Sequence, residues 1–141
     1  MTSQTTICVD RQNFDALTTI RRELAPVKAA HIRVRVTAFA LTANNVTYMG
    51  AGESFGYWNF FEPKAYGIED SARGRMPVWG FAEITESRAE GLDVGARIYG
   101  YFPPVDYFDL MPVKLNHAGF MDGAPHRLSL HPVYNLSLIH I

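Results

Sequence analysis

Apolar and polar side chains alternate along several segments of the chain, which is the pattern of strands with one buried face. The clearest case is residues 31–38, where Ile32, Val34, Val36 and Ala38 fall on the buried face and His31, Arg33, Arg35 and Thr37 on the wet face. Further strands are predicted at 5–9, 78–87 and 96–102, and another extended segment at 105–113. Residues 15–24 leave helix and strand open, since their β-branched side chains also suit a strand. Strands therefore dominate the expected structure.

One short helix is predicted where the alternation stops. Asn44 and Asn45 are suitable N-cap residues, and Gly50 can end the helix. Glycine and proline punctuate the remaining segments, and no alternation of strands with helices is visible. These features predict a mainly β fold, a small barrel or sandwich.

The composition is that of one globular domain: 141 residues, 48% of them apolar and 19% charged. A net charge of -1 provides no basic field, so neither nucleic acid nor an anionic membrane is an expected partner. The single Cys8 and the lack of a signal-peptide pattern predict a reducing, cytoplasmic location. The least ordinary feature of the composition is the aromatic count: nine Phe, seven Tyr and two Trp, concentrated between residues 48 and 108.

A GxSxG string at residues 52–56 could present Ser54 as the nucleophile of a serine hydrolase. Neither an apolar strand before it nor a small-residue helix start after it is present, so a flexible loop is the stronger interpretation. The glycines at 50, 52 and 56 also imitate a dinucleotide-binding loop. Because no βαβ unit or downstream acidic residue accompanies them, phosphate binding is not expected there.

Histidines and arginines offer two further weak motifs. His117, His126 and His131 could be imagined as a metal site, but the surrounding prolines and the lack of a nearby cysteine favour exposed loop histidines. Arg73 and Arg75 could hold an anion, but next to Glu69 and Asp70 they are interpreted as part of a solvated loop.

The aromatic residues divide into core and candidate pocket. Strand and loop aromatics between 57 and 102 could line a pocket for a flat apolar substrate, because Tyr and Trp carry polar tips that need partners. Tyr57, Trp58 and Trp79 are the candidate binding residues, and most of the others are expected in the core.

Three segments, in this order, resemble the N-terminal GroES-like domain of the medium-chain dehydrogenase/reductase superfamily: HIRVRVTAFALTANNVTYMG, GRMPVWGFAEITES and EGLDVGARIYGYFPP. The resemblance covers residues 17–115, and VGARIYG at 94–100 is its most specific part. The ALTANN and GYW elements and the later HRLSLHPVYN are more similar still to a branch known only as a domain of unknown function. The implied fold is a GroES-like, partly open β-barrel with short helices.

The resemblance also implies a chemistry. Thr42 and the Gly80–Ala82 segment occupy the positions at which zinc-dependent members carry ligands, so no metal is expected and the chain looks like the quinone-oxidoreductase type. Such enzymes pass hydride from NAD(P)H to a carbonyl, enone or quinone. Thr42 is then a substrate-binding residue, and Asn45 and Tyr48 are the candidate catalytic residues. Asn45 stands where many relatives have aspartate, and both residues could equally serve as cap and packing groups.

The superfamily resemblance implies that a Rossmann domain, which would bind most of the cofactor, is missing. A homodimeric parent is compatible with it. Residues 136–141, LSLIHI, match the translation of a transposase adaptor used in sequencing libraries, so the native domain is predicted to span 1–135. The expected function is the substrate-side domain of an oxidoreductase, inactive as this fragment. The alternatives are a non-catalytic GroES-like module that binds a small ligand or a partner and, less favoured, the serine hydrolase.

Overall fold

A computed structural model describes residues 1–69 and 72–139, and it is mainly β. The ten strands are β1 (Ser3–Asp10), β2 (Leu17–Glu23), β3 (Ile32–Phe39), β4 (Arg73–Gly74), β5 (Val78–Ser87), β6 (Arg97–Phe102), β7 (Tyr107–Leu110), β8 (Pro112–Val113), β9 (Gly119–Asp122) and β10 (Leu136–Ile139). The single α-helix of the described residues is α1 (Ala43–Gly50). Short 3₁₀ segments lie at Tyr57–Phe61, Pro63–Tyr66, Pro125–Arg127 and Pro132–Asn135.

Seven strands form one sheet that curls into a partly open barrel, in the order β7-β3-β5-β6-β10-β9-β8. A smaller sheet, β2-β1-β4, joins it through the bridge between Thr6 and Val105. The described strand pairs are antiparallel. The expected mainly β fold with a partly open barrel is therefore confirmed.

The barrel core is built by the apolar faces of the strands. On β5 the buried positions alternate as predicted, and Val78, Gly80, Ala82 and Ile84 point inward. The 3₁₀ segment Tyr57–Phe61 adds Phe60 and Phe61 to this core, at 3% and 0% exposure. Aromatic side chains thus close the barrel at the end that carries α1.

On β3 the predicted alternation is only half right. Ile32 and Val34 are buried as expected, but Ala38 is exposed because register shifts at Arg33/Val34 and Val36/Ala38 rotate the strand. Arg33, expected on the wet face, is buried, and its guanidinium pairs with Asp109. The open segment 15–24 is resolved as a strand, β2, which pairs with β1 over its whole length.

Two side chains expected in solvated loops are enclosed. Arg75 is 0% exposed, and its Nε donates to the carbonyl of Phe61 at 2.9 Å. His126 is half-buried, with Nε2 at 3.1 Å from the carbonyl of Phe60, whereas His117 and His131 are exposed as predicted. The loop interpretation is therefore wrong for Arg75 and His126. Asp70, named with the arginine motif, lies outside the described residues.

Residues 136–139 form the strand β10 between β6 and β9, with Leu138 opposite Tyr99 and Leu136 opposite Met121. Their assignment to an adaptor-derived tail concerns their origin and stays a prediction. Residues 140–141 lie outside the described part of the chain.

Candidate functional site

Helix α1 begins with a capping box. Thr42, and not Asn44 or Asn45, is the N-cap, because its Oγ1 accepts the amide hydrogen of Asn44 at 3.3 Å and its own N–H donates to Oδ1 of Asn45 at 2.6 Å. The sequence therefore placed the N-cap two or three residues too late. The predicted end of the helix at Gly50 is correct. Thr42 is exposed.

Asn45 links the helix to the strand β5. It is 5% exposed, and its Nδ2 donates to the carbonyl of Pro77 at 3.0 Å. Since Oδ1 already accepts the Thr42 amide hydrogen, both polar atoms of the side chain bond within the protein. This geometry favours the cap and packing alternative for Asn45 over direct contact with a substrate.

Tyr48 lies one turn further along α1 and contacts the side chain of Trp79 on β5. Trp79 donates its Nε1–H to the Tyr48 hydroxyl oxygen at 3.2 Å. Because an indole nitrogen can only donate, this bond leaves the Tyr48 O–H available to donate to a further acceptor. Both side chains are half-buried, so the pair lies at the surface of the barrel end.

Tyr48 belongs to a group that we name the tyrosine cluster: Tyr48, Tyr57, Tyr101 and Tyr134. The ring centroids of Tyr48 and Tyr57 are 4.9 Å apart, and those of Tyr101 and Tyr134 are 4.8 Å apart. The hydroxyls of Tyr57 and Tyr134 are within 3.2 Å of each other. Trp79 packs on Tyr101 at 4.9 Å. The cluster therefore joins α1, the strand β6 and two 3₁₀ segments, and Trp79 connects it to β5.

Two phenols of the cluster, those of Tyr101 and Tyr134, hold their protons firmly. Burial is the main reason why the pKa of Tyr101 is raised well above its usual value, and Tyr101 is 1% exposed. The hydrogen bond to Tyr57, followed by burial, raises the pKa of Tyr134 to about 12. The Tyr101 hydroxyl has no hydrogen-bond partner among the described residues. At neutral pH these groups are proton donors and not phenolates.

A cleft of about 320 Å³ opens beside the cluster, and we name it the aromatic cleft. Its lining consists of Phe55, Tyr57, Phe60, Leu130, His131, Val133 and Tyr134. Phe55 is 77% exposed at its rim. Ring faces and a few hydroxyls are the groups with which proteins hold flat, weakly polar molecules.

Trp58 does not join the cluster. Its ring is 1% exposed and packs in a space left by two glycines, where a Cβ at Gly52 would lie 2.2 Å from Nε1 and one at Gly74 would lie 2.4 Å from Cε3. Its ring neighbour is Phe14, at 6.3 Å between centroids. Trp58 therefore builds the core under the α1 turn, apart from Tyr57 and Trp79.

Ser54 lies exposed on the turn that follows α1. Within the described residues it makes no hydrogen bond to a histidine, and the glycine-rich stretch around it precedes a 3₁₀ segment instead of a helix of a βαβ unit. The local geometry thus supplies neither a base for a serine nucleophile nor a phosphate-binding helix terminus.

Two of the candidate residues from the sequence, Tyr48 and Tyr57, belong to the cluster and a third, Trp79, packs against it, whereas Tyr101 and Tyr134 were not among the candidates. Tyr101 is buried although it lies on the strand face opposite to Ile98, Gly100 and Phe102, and it was grouped with the aromatics expected mostly in the core. Tyr134 lies in the HPVYN segment, more than thirty residues further along the chain. The resemblance of this segment to the unknown-function branch was the one sign in the sequence that it could matter, since no local pattern places Tyr134 beside Tyr57.

Two classes of feature are missing from the part of the chain that the structure describes. No group of three or more His, Cys, Asp or Glu side chains lies close enough together to hold a metal ion. Of the helices described, none has the length and hydrophobicity needed to cross a membrane.

Comparison with known proteins places the chain in a structural context. The family model described as "Protein of unknown function (DUF2855)" matches residues 39–139. No curated protein matches the sequence significantly. CurA from Vibrio vulnificus has a similar structure, with a TM-score of 0.57 and 13% identity over 90% of this chain and 36% of the CurA chain.

Two more distant likenesses have TM-scores below 0.5. CurK enoyl reductase gives 0.48 with 13% identity over 77% of this chain, and the quinone oxidoreductase from Coxiella burnetii gives 0.47 with 16% identity over 87%. The chain spans 33% and 40% of those two chains. At this identity the match with CurA establishes a shared fold, which agrees with the predicted barrel, and the family match agrees with the predicted unknown-function branch.

Proposed function

The chain belongs to the family of unknown function whose model matches residues 39–139, and from this membership and the site geometry we propose that it is the substrate-side domain of an oxidoreductase. The proposed substrate is a carbonyl, enone or quinone, and the proposed reductant is NAD(P)H. No zinc takes part in the proposed reaction.

One observation carries the proposal: the 3.2 Å hydrogen bond in which Trp79 donates to Tyr48. It fixes the Tyr48 oxygen as an acceptor, so the phenol proton is free to be donated to the carbonyl oxygen of a substrate. Reduction of a carbonyl or enone builds negative charge on that oxygen, and a nearby neutral phenol stabilises it. The Tyr57 ring, packed on Tyr48, lines the adjoining aromatic cleft and offers a flat surface to the substrate.

When bound, NAD(P)H supplies the hydride, and the protein supplies binding and orientation. Most of the cofactor's binding is proposed to fall to a Rossmann domain outside this chain. Apolar side chains exposed near the site support a covering partner: Leu41, Val46, Phe55 and Val133 are 67%, 61%, 77% and 49% exposed. The chain by itself is accordingly proposed to bind substrate without turning it over. Thr42, exposed at the N-cap, is retained as a substrate contact, whereas Asn45 is assigned to positioning.

Binding of 1,4-naphthoquinone to the 141-residue chain tests the substrate surface. Tyr48→Phe removes the donor and keeps the ring, so we expect its Kd to rise about three- to tenfold, the usual effect of one hydrogen bond. Tyr107→Phe on β7 is the matched control, because Tyr107 lies outside the cluster, and its Kd should stay unchanged. Equal affinities for the unmodified chain and Tyr48→Phe, or equal losses in both variants, would refute the proposed role.

Catalysis is tested on a longer product of the same gene that includes a nucleotide-binding domain. We expect quinone-dependent oxidation of NADPH that survives removal of divalent metals by EDTA and falls in Tyr48→Phe. Quinone binding without NADPH oxidation would instead support the non-catalytic ligand-binding module. Loss of turnover on chelation, restored by Zn²⁺, would contradict the zinc-independent mechanism.

A further inference from the structure

A second cleft, of about 530 Å³, shares no lining residue with the aromatic cleft. It lies between the end of β2, the segment leading into β3, the 3₁₀ segment Pro63–Tyr66 and the residues after β9. We name it the cationic cleft. Charged groups of both signs line it, so its character depends on which of them are already neutralised within the protein.

The two aspartates of the cationic cleft are neutralised. Both oxygens of Asp109 accept from the Arg33 guanidinium, at 2.8 and 2.9 Å. Asp122 accepts from Nη1 of Arg127 at 2.7 Å, and its other oxygen accepts backbone amide hydrogens. Paired and hydrogen-bonded in this way, these carboxylates contribute little negative potential to the cleft.

The cations that line the cleft have no such partners. Arg22 donates Nε to Gln4 Oε1 at 2.8 Å and Nη1 to the carbonyl of Tyr66, but within the described residues it makes no ion pair, and Nη2 makes no hydrogen bond. Lys28 is exposed and likewise forms no ion pair in the described part of the chain. The remaining acid of the lining is Glu23, which is exposed. Partial burial lowers the pKa of Arg22 and outweighs the opposite effect of the Asp109 carboxylate, so the guanidinium is incompletely hydrated.

A buried guanidinium behind the wall of the cleft adds to the positive potential. The Arg75 carbon Cζ lies 4.6 Å from the centroid of the Tyr66 ring, and Tyr66 lines the cleft. Neither Nη1 nor Nη2 of Arg75 has a hydrogen-bond partner among the described residues. Burial is the main cause of its lowered pKa, about 10, so the group is still charged at neutral pH. An anion near Tyr66 would relieve this uncompensated charge.

We propose that the cationic cleft binds a small organic anion, with carboxylate or phosphate oxygens at Arg22 and the apolar body of the ligand against Pro26 and Met111. Nη2, the Arg22 nitrogen without a hydrogen bond among the described residues, can donate to an oxygen of either anion. The apolar lining and the volume of the cleft exceed what an inorganic ion needs, which favours an organic ligand. This site is independent of the proposed reductase chemistry at the aromatic cleft.

Calorimetric titration of the 141-residue chain with benzoate, phenyl phosphate and benzyl alcohol tests the proposal. The two anions distinguish a carboxylate from a phosphate head group, and benzyl alcohol is the uncharged control. We expect at least one anion to bind about tenfold or more tightly than benzyl alcohol, and its affinity to fall as salt is raised. Arg22→Gln should weaken that binding about tenfold or more. Arg21→Gln, on the other face of β2, should leave it within about twofold, because residue 21 is not part of the lining.

Equal affinity for benzyl alcohol and both anions would overturn the proposal, as would equal losses in the Arg22 and Arg21 variants. Should Arg22→Gln lose its cooperative thermal unfolding, Lys28→Gln replaces it, since Lys28 is exposed and makes no contact on which the fold depends. A weakening of about two- to fourfold by Lys28→Gln supports the site, and unchanged affinity contradicts it.

Discussion

Tyr101 places a hydroxyl in the barrel end without giving it a partner, so replacing it by phenylalanine should stabilise the protein. The side chain is 1% exposed, and its oxygen makes no hydrogen bond within the described residues. Its ring contacts do not depend on the oxygen: Trp79 at 4.9 Å, Tyr134 at 4.8 Å and Phe60 at 5.4 Å between centroids. Tyr101→Phe therefore removes a buried hydroxyl whose loss of hydration is not compensated by a hydrogen bond, and it keeps the ring packing.

The size of the effect follows from that cost. Burying a polar group without a hydrogen bond costs about 1–3 kcal/mol, and removing the oxygen leaves only a small void. We expect Tyr101→Phe to raise the free energy of unfolding by about 1–2 kcal/mol. For a chain of this length, that corresponds to an increase in Tm of roughly 3–8 °C.

Guanidinium unfolding followed by circular dichroism measures the change, with thermal unfolding as a second probe. Tyr57→Phe is the matched control because it also removes one phenol oxygen, but one that is bonded to Tyr134 at 3.2 Å. It should lower the free energy of unfolding by about 0.5–1.5 kcal/mol. A loss of stability in Tyr101→Phe equal to that in Tyr57→Phe would refute the reasoning, since it would mean that the Tyr101 oxygen is satisfied in solution.

Two further predictions concern the buried phenol and guanidinium groups. Because the folded pKa of Tyr134 is raised to about 12, its contribution to stability is complete below pH 10 and is lost between pH 10 and 12. The hydrogen bond to Tyr57 is the main cause, so the free energy of unfolding of Tyr57→Phe should fall less over that pH range than that of the unmodified chain. Equal decreases in the two proteins, measured by chemical denaturation, would contradict this. Taking the difference between the two proteins cancels the opposite contribution of Arg75. Arg75→Met should leave stability unchanged or raise it by about 1–3 kcal/mol in guanidinium unfolding, and a loss above about 2 kcal/mol would show that Nη1 and Nη2 are paired in solution.

Much of the fold could be predicted because period-two alternation reports the burial of a strand directly. The strand Val78–Ser87 was located to the residue for this reason. The prediction is wrong where the alternation of residues no longer matches the buried face of the strand. At β3 two register shifts turn Ala38 outward, and the buried pair of Arg33 with Asp109 replaces the expected wet face. An ion pair between residues so distant in sequence leaves no local pattern.

Only the part of the candidate site that lies on one short stretch of chain could be predicted from the sequence. Tyr48 and Asn45 share one short helix, so their spacing could be seen in the sequence. Their roles could not, because the Asn45 amide is occupied by two contacts that the sequence does not show: its oxygen accepts the Thr42 amide hydrogen, and its nitrogen donates to the carbonyl of Pro77, next to β5. Tyr134 reaches Tyr57 through the closure of the barrel, at a separation of 77 residues. Trp58 was misplaced for a related reason: only the packing reveals that Gly52 and Gly74 make room for its ring in the core.

Asn45 and Tyr48 together explain how α1 is held against β5, and a double-variant experiment separates positioning from catalysis. Residues three apart share one helix face, so Asn45 and Tyr48 point the same way, and their partners Pro77 and Trp79 are two residues apart at the start of β5. The two bonds together fix the rotation of the helix. Asn45→Ala should therefore lower the free energy of unfolding by about 1–2 kcal/mol and also weaken 1,4-naphthoquinone binding, because the Tyr48 hydroxyl loses its fixed position.

If Asn45 acts only through Tyr48, its effect on the quinone Kd should vanish when Tyr48 is already phenylalanine, while its effect on stability should persist. The Kd of Asn45→Ala/Tyr48→Phe would then equal that of Tyr48→Phe alone. Additive losses in Kd would instead mean that the Asn45 amide contacts the ligand directly. Such a result would require the bond to Pro77 to break on binding, since both polar atoms of the amide are occupied in the folded protein.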